Sequence, residues 1–80
     1  MAILRLFASA REAAGTGRDD LPGSTVGEVL AAARDRYGAG FDDVLKTCRI
    51  WVNGESATTD TMISARDEVA VLPPVSGGGF

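Results

Sequence analysis

The chain has no histidine among its 80 residues. The commonest metal ligand and the commonest general base are therefore missing, which argues against a self-contained hydrolase or metalloenzyme. Its single cysteine, Cys48, cannot close an internal disulfide, and this suits a reducing compartment. No apolar run is long enough to cross a bilayer. The opening Met1-Ala2-Ile3-Leu4-Arg5 lacks the basic stretch and long apolar core of a secretion signal, so a cytoplasmic protein is expected. Cations are also few. Eight Lys and Arg stand against eleven Asp and Glu, and a net charge of −3 leaves no footprint for nucleic acid. A mildly acidic surface suits a partner with a basic patch, or serves solubility alone.

What is present is enough for one small core. Hydrophobic residues make up 45% and charged residues 24%, the balance of a soluble globular domain. Ala2 to Ala8 alternates as a strand, with Leu4 and Leu6 facing the core and Phe7 the other side. Ser9 to Gly17 reads as a connection ending in a Gly15-Thr16-Gly17 turn. Arg18 to Leu21 is short and charged, as an edge strand should be. Pro22-Gly23-Ser24 then leads into a helix. Thr25 and Glu28 have capping-box spacing, and Val26, Val29, Leu30, Ala33 and Tyr37 form one apolar face. Gly38-Ala39-Gly40 ends that helix, and Phe41, Val44 and Leu45 suit one further helical turn. Arg49 to Val52 is a strand, Asn53-Gly54 a hairpin turn, and Glu55 to Ala57 a brief return. Thr58 to Arg66 is irregular, anchored by Met62 and Ile63. Asp67 to Leu72 is the last strand, with Val69 and Val71 inward. This order predicts a small α+β roll. If the first and last strands pair in parallel, the C-terminal segment leaves from the middle of the sheet.

That segment carries the chemical interest. The strand stops at Pro73-Pro74, and Val75-Ser76-Gly77-Gly78-Gly79-Phe80 follows. Prolines forbid further ladder bonding and hold the exit extended. Glycines lack side chains, so such a tail can enter a narrow channel in another protein. The glycine run is not a phosphate loop, because no Lys-Ser or Lys-Thr closes it and no helix follows. Phe7 is either an interface anchor or covered by loops or Trp51. Leu72 and Val75 can share an apolar patch with it, and Arg11 and Lys46 can add polar rim contacts. Cys48 reads as a small core residue. Asp19-Asp20 and Asp42-Asp43 read as a solvated edge and a helix start.

Phe7-Ala8-Ser9-Ala10-Arg11-Glu12-Ala13-Ala14-Gly15 resembles the opening of the small subunit of molybdopterin synthase, a ubiquitin-like sulfur carrier of the MoaD/ThiS type. Asp67 to Gly78 resembles the close of the same family, so the likeness spans nearly the whole chain. It implies a β-grasp fold: a mixed four- to five-stranded sheet with one main helix packed on one face, over residues 1–72, and a tail over 73–80. It also implies a function. An E1-like enzyme uses ATP to adenylate the terminal glycine carboxylate. A sulfur-donating enzyme converts it to a thiocarboxylate. The tail then enters the synthase large subunit, in a heterotetramer, and gives its sulfur to the pterin dithiolene that holds molybdenum. This chain would bind no cofactor itself. Gly78 is the implied carrier atom's residue, with Gly79 the alternative. Phe7, Arg11, Leu72, Pro73, Pro74, Val75, Ser76 and Gly77 are the implied partner contacts. The chain departs from the pattern by continuing through Gly79 and Phe80. A protease trims them, or they are an addition or divergence, or they block the carboxylate. A carrier for thiamine, cysteine or another sulfur metabolite, and a protein modifier joined to lysines, remain the alternatives.

Overall fold

The computed structural model describes residues 1–74. The elements are β1 (Ala2–Leu6), α1 (Ala8–Ala14), β2 (Arg18–Leu21), α2 (Val26–Tyr37), α3 (Ala39–Leu45), β3 (Arg49–Val52), β4 (Glu55–Ser56) and β5 (Glu68–Leu72). The five strands form one mixed sheet in the order β2-β1-β5-β3-β4. β1 and β5 are parallel, with Leu4 opposite Val69 and Leu6 opposite Val71. Every other pairing is antiparallel. The last strand is therefore the central one, as the sequence pattern required for a tail leaving mid-sheet.

One face of the sheet is covered and the other is not. Ala2, Leu4, Leu6, Val69, Val71 and Val52 point into a single core with Val26, Val29, Leu30 and Ala33 of α2 and Phe41 and Leu45 of α3. Alternation then sends Ile3, Arg5, Ala70, Leu72, Arg49 and Trp51 to the opposite face. No helix of the described chain is long and apolar enough to cross a membrane.

The caps explain the helix boundaries. Thr25 Oγ1 accepts from Glu28 N at 3.2 Å, and Glu28 Oε1 accepts from Ser24 N at 2.7 Å. The box thus closes one residue earlier than its reciprocal form, on Ser24 N–H in place of Thr25 N–H. Asn53 and Gly54 adopt positive φ, 51° and 85°, the geometry that a tight two-residue hairpin turn demands.

Three expectations need correction. Ser9 to Gly17 is not merely a connection: Ala8–Ala14 is helical, and β1 stops at Leu6. Seven residues cannot hold a helix unaided. Burial of Ala10 and a left-handed Gly15, whose N–H bonds Arg11 O at 2.9 Å, hold this one. The sheet therefore carries two short helices beside its main one. Met62 is also no anchor, being 71% exposed, while Ile63 is buried. Asp19 is not a solvated edge residue, because its carboxylate turns toward α2.

Candidate functional site

The candidate site surrounds the end of β5. Leu72 and Pro73 are half-buried and Pro74 is exposed. Together with Arg49 and Trp51 they line an open cleft of about 400 Å³. Trp51 enters because it and Arg49 share a strand face, and Arg49 lies opposite Leu72 in the β3–β5 ladder. Neither residue is assigned to the site by the sequence alone.

On the other side of β5, Phe7 links β1 to α1. Its N–H bonds Val71 O at 3.3 Å, and its own carbonyl accepts from Ala10 N and Arg11 N at 3.1 and 3.3 Å. These bonds fix the residue beside the strand exit. Ala8 immediately follows with φ of 50°, the left-handed twist that turns the strand into α1. The Phe7 ring is 40% exposed. Trp51 does not cover it: the aromatic pair among the described residues is Tyr37–Phe41, 5.2 Å between centroids. Instead the Arg5 guanidinium lies 6.0 Å from the Phe7 centroid. Arg5, Phe7, Arg11 and Arg18 line a second cleft of about 430 Å³ with Leu6, Thr16 and Gly17.

Phe7, Arg11, Leu72, Pro73 and Pro74 thus gather at one end of the sheet. Val75, Ser76, Gly77, Gly78 and Gly79 lie outside the described residues. Lys46 does not join this site. It lines a separate cleft with Leu30, Arg34, Asp42, Leu45, Cys48, Ile50 and Thr59, and its ammonium pairs with Asp43 at 3.5 Å. Cys48 is a packing residue, as expected. Its Sγ donates to Val44 O at 3.2 Å, and burial pushes its thiol up, away from the reactive thiolate.

A protein-family comparison decides what this architecture is. The ThiS family model matches residues 4–78. The chain belongs to the ThiS family. This ThiS-family chain has the ubiquitin-like β-grasp fold of the ThiS/MoaD sulfur carriers. It is 38% identical over 84 aligned positions to small archaeal modifier protein 1 of Haloferax volcanii, covering 92% of this chain and 97% of that one. It is 33% identical over 81 positions to the molybdopterin synthase sulfur carrier subunit of Mycosarcoma maydis, covering 90% and 87% of the two. The solution structure of small archaeal modifier protein 1 from Methanosarcina acetivorans superposes with a TM-score of 0.85 at 32% identity, covering 96% and 95%. The family match ends at Gly78, so Gly79 and Phe80 of this ThiS-family chain fall beyond it.

Proposed function

We propose that the chain is the sulfur-carrying small subunit of a molybdopterin synthase and that the Gly78 carboxylate carries the sulfur. A carboxylate is a poor acyl donor because oxide is a poor leaving group. Attack of its oxygen on the α-phosphorus of ATP, with loss of pyrophosphate, makes an acyl-adenylate. Hydrosulfide released by a donor enzyme then attacks the acyl carbon, forming the C–S bond as the C–O bond to AMP breaks, and the S–H proton is lost to water. The resulting thiocarboxylate is a soft nucleophile that can transfer its sulfur to a pterin precursor in the large subunit. Hydrolysis of the spent acyl group restores the carboxylate. None of these steps needs a histidine, a metal or a reactive cysteine from this chain.

The observation that carries the reading is the coincidence of two ends. The family match stops at Gly78, and the central strand that feeds this segment ends between Phe7 and Trp51 on the uncovered sheet face. A partner that seats on that face receives the tail in a fixed direction. Pro73 and Pro74 limit the entropy lost on docking. The reading requires removal of Gly79 and Phe80, because a channel fitted to glycine excludes a phenyl ring.

The similarity to an archaeal modifier favours a second reading, in which the activated glycine is joined to lysines of other proteins. Both begin with adenylation, so activation does not separate them. Intact mass of the protein from its native cell, with its C-terminal peptide sequenced, does. A chain ending at Gly78 with a fraction bearing oxygen-to-sulfur exchange is the expected result. Only chains ending at Phe80 would reject the carrier, and Ser76-Gly77-Gly78 remnants on cellular lysines without thiocarboxylate would replace it with the modifier.

A further inference from the structure

The strand exit is ringed by cations although the molecule is acidic. Arg5 and Arg18 are direct cross-strand partners on β1 and β2, so both side chains stand on the uncovered face. Like charges so placed destabilise a sheet. Arg49 joins the same face from β3, opposite Leu72. Arg11 reaches this end from α1 and lies over Gly17, where a Cβ would come within 3.4 Å of its Nε. Neutral surfaces hold two of these groups: the Phe7 ring under Arg5 and the Gly17 backbone under Arg11.

Two carboxylates share this face, Asp20 and Glu68, but both lie opposite Ile3, at the far end of the sheet from Leu72. Among the described residues Arg11, Arg18 and Arg49 have no acidic oxygen within 4.0 Å, and Arg5 reaches only Glu68, at 3.7 Å in an exposed pair. The helix side is the opposite. There Arg34 is paired with Asp42, Arg36 with Asp19 and Lys46 with Asp43. Among the described residues Arg66, in the loop before β5, is the other arginine without an ion pair, whereas Arg11, Arg18 and Arg49 stand together around the end of β5.

We propose that this arginine face docks a carboxylate-rich surface of the protein that encloses the tail. This differs from a partner with a basic patch, one of the two readings of the net charge, because net charge does not describe this face. The four groups lie on both sides of β5, a spread that fits a broad protein surface rather than a single phosphate. Guanidinium forks match carboxylates in bidentate geometry and give up water more readily than ammonium groups. The choice of arginine has a second consequence, resting on the carrier reading. The single lysine, Lys46, lines a cleft that shares no residue with those at the exit. No lysine amine of this face is then poised to attack the activated carboxylate.

Amide NMR of the full chain, titrated with N-acetyl-hexaglutamate and separately with inorganic phosphate, tests the docking chemistry. The peptide should shift amides around Arg5, Phe7, Arg11, Arg18 and Arg49, and added salt should reverse the shifts. Arg5→Gln with Arg18→Gln should weaken the peptide by about threefold or more, while Arg34→Gln leaves it unchanged. Amide dispersion shows that each variant is folded. Absent shifts, or shifts centred on the helix side, would overturn the proposal. Tighter saturation by phosphate at the same amides would also overturn it, in favour of a small phosphate ligand. The probes require neither a thiocarboxylate nor a synthase, so failure of the carrier reading and failure of this one are separate results.

Discussion

At the scale of single residues, the best-defined polar contact is the tie between the sheet edge and α2. Asp19 accepts the Tyr37 hydroxyl at Oδ2 and Arg36 Nη1 at 2.9 and 2.8 Å on its two oxygens. The Tyr37 hydroxyl, followed by Arg36, holds the Asp19 carboxyl below its ordinary 3.8. Burial, followed by the hydrogen bond to Asp19 and then the Asp19 charge, pushes the Tyr37 phenol up to about 12. The signs are opposite. The depressed Asp19 stabilises the fold above its unfolded value of 3.8 and loses that contribution as pH falls through the lower folded value. The raised Tyr37 contributes fully below its unfolded value of 10.0 and loses that contribution as pH rises through about 12. Asp19→Asn should therefore cost about 1–2 kcal/mol at neutral pH and flatten the acid limb of a urea-stability profile. The flattening is partial. Asp67, held down by the Asn53 amide and the Ser64 N–H, titrates in the same window. A parallel acid limb in the variant would show that Asp19 is not the group that titrates there. Charge adjacency in the sequence gave no sign of this tie, since residues 19 and 37 meet only when β2 lies beside the end of α2.

At the scale of elements, the strands and the main helix were legible because each carries its own period. Alternation marked β1, β3 and β5, the Asn53-Gly54 pair marked the hairpin, and the capping box with one apolar stripe marked α2. The short helix α1 was not legible by that route. Its core face is Ala10, which is buried, with Ala13 and Ala14 packed beside it, a stripe of alanines too small to stand out from the other alanines of the segment. Its signals were composition, an Ala-rich segment, and a glycine placed to terminate it. Two glycines separate these influences. A Cβ at either Gly15 or Gly40 would meet no atom within 4 Å, but Gly15 has φ of +80° and Gly40 has no positive φ. Gly15→Ala should cost about 1 kcal/mol through the left-handed backbone alone. Gly40→Ala should instead stabilise α3, by up to about 1 kcal/mol. Urea midpoints of the two variants should move in opposite directions. Movement in the same direction would mean that the cap does not fix the end of α1. Phe7 caps this helix and Arg11 lies within it, so its integrity positions both.

At the scale of the whole molecule, the order of the sheet separates folding from function. β5 is the last element in sequence and the middle one in space, parallel to β1 on one side and antiparallel to β3 on the other. The last described residues of the core are Val69 and Val71. A reactive tail attached to an edge strand would tug on the least protected part of the sheet. β5 is instead paired on both sides. The sequence-based boundary between a 1–72 domain and a 73–80 tail then makes two opposite predictions for truncation. A chain ending at Pro74 should melt within about 4 °C of the full chain, since less than about 1 kcal/mol is at stake, yet it should accept no sulfur. A chain ending at Asp67 should fail to fold, because β1 and β3 lose their shared partner and Val69 and Val71 leave the core. Thermal unfolding followed by circular dichroism reads both. A large drop in the melting temperature of the first variant would place residues beyond Pro74 within the folded unit, and the tail could no longer be treated as a separate reactive arm. A cooperative transition in the second would mean that the central position of β5 does not govern the core.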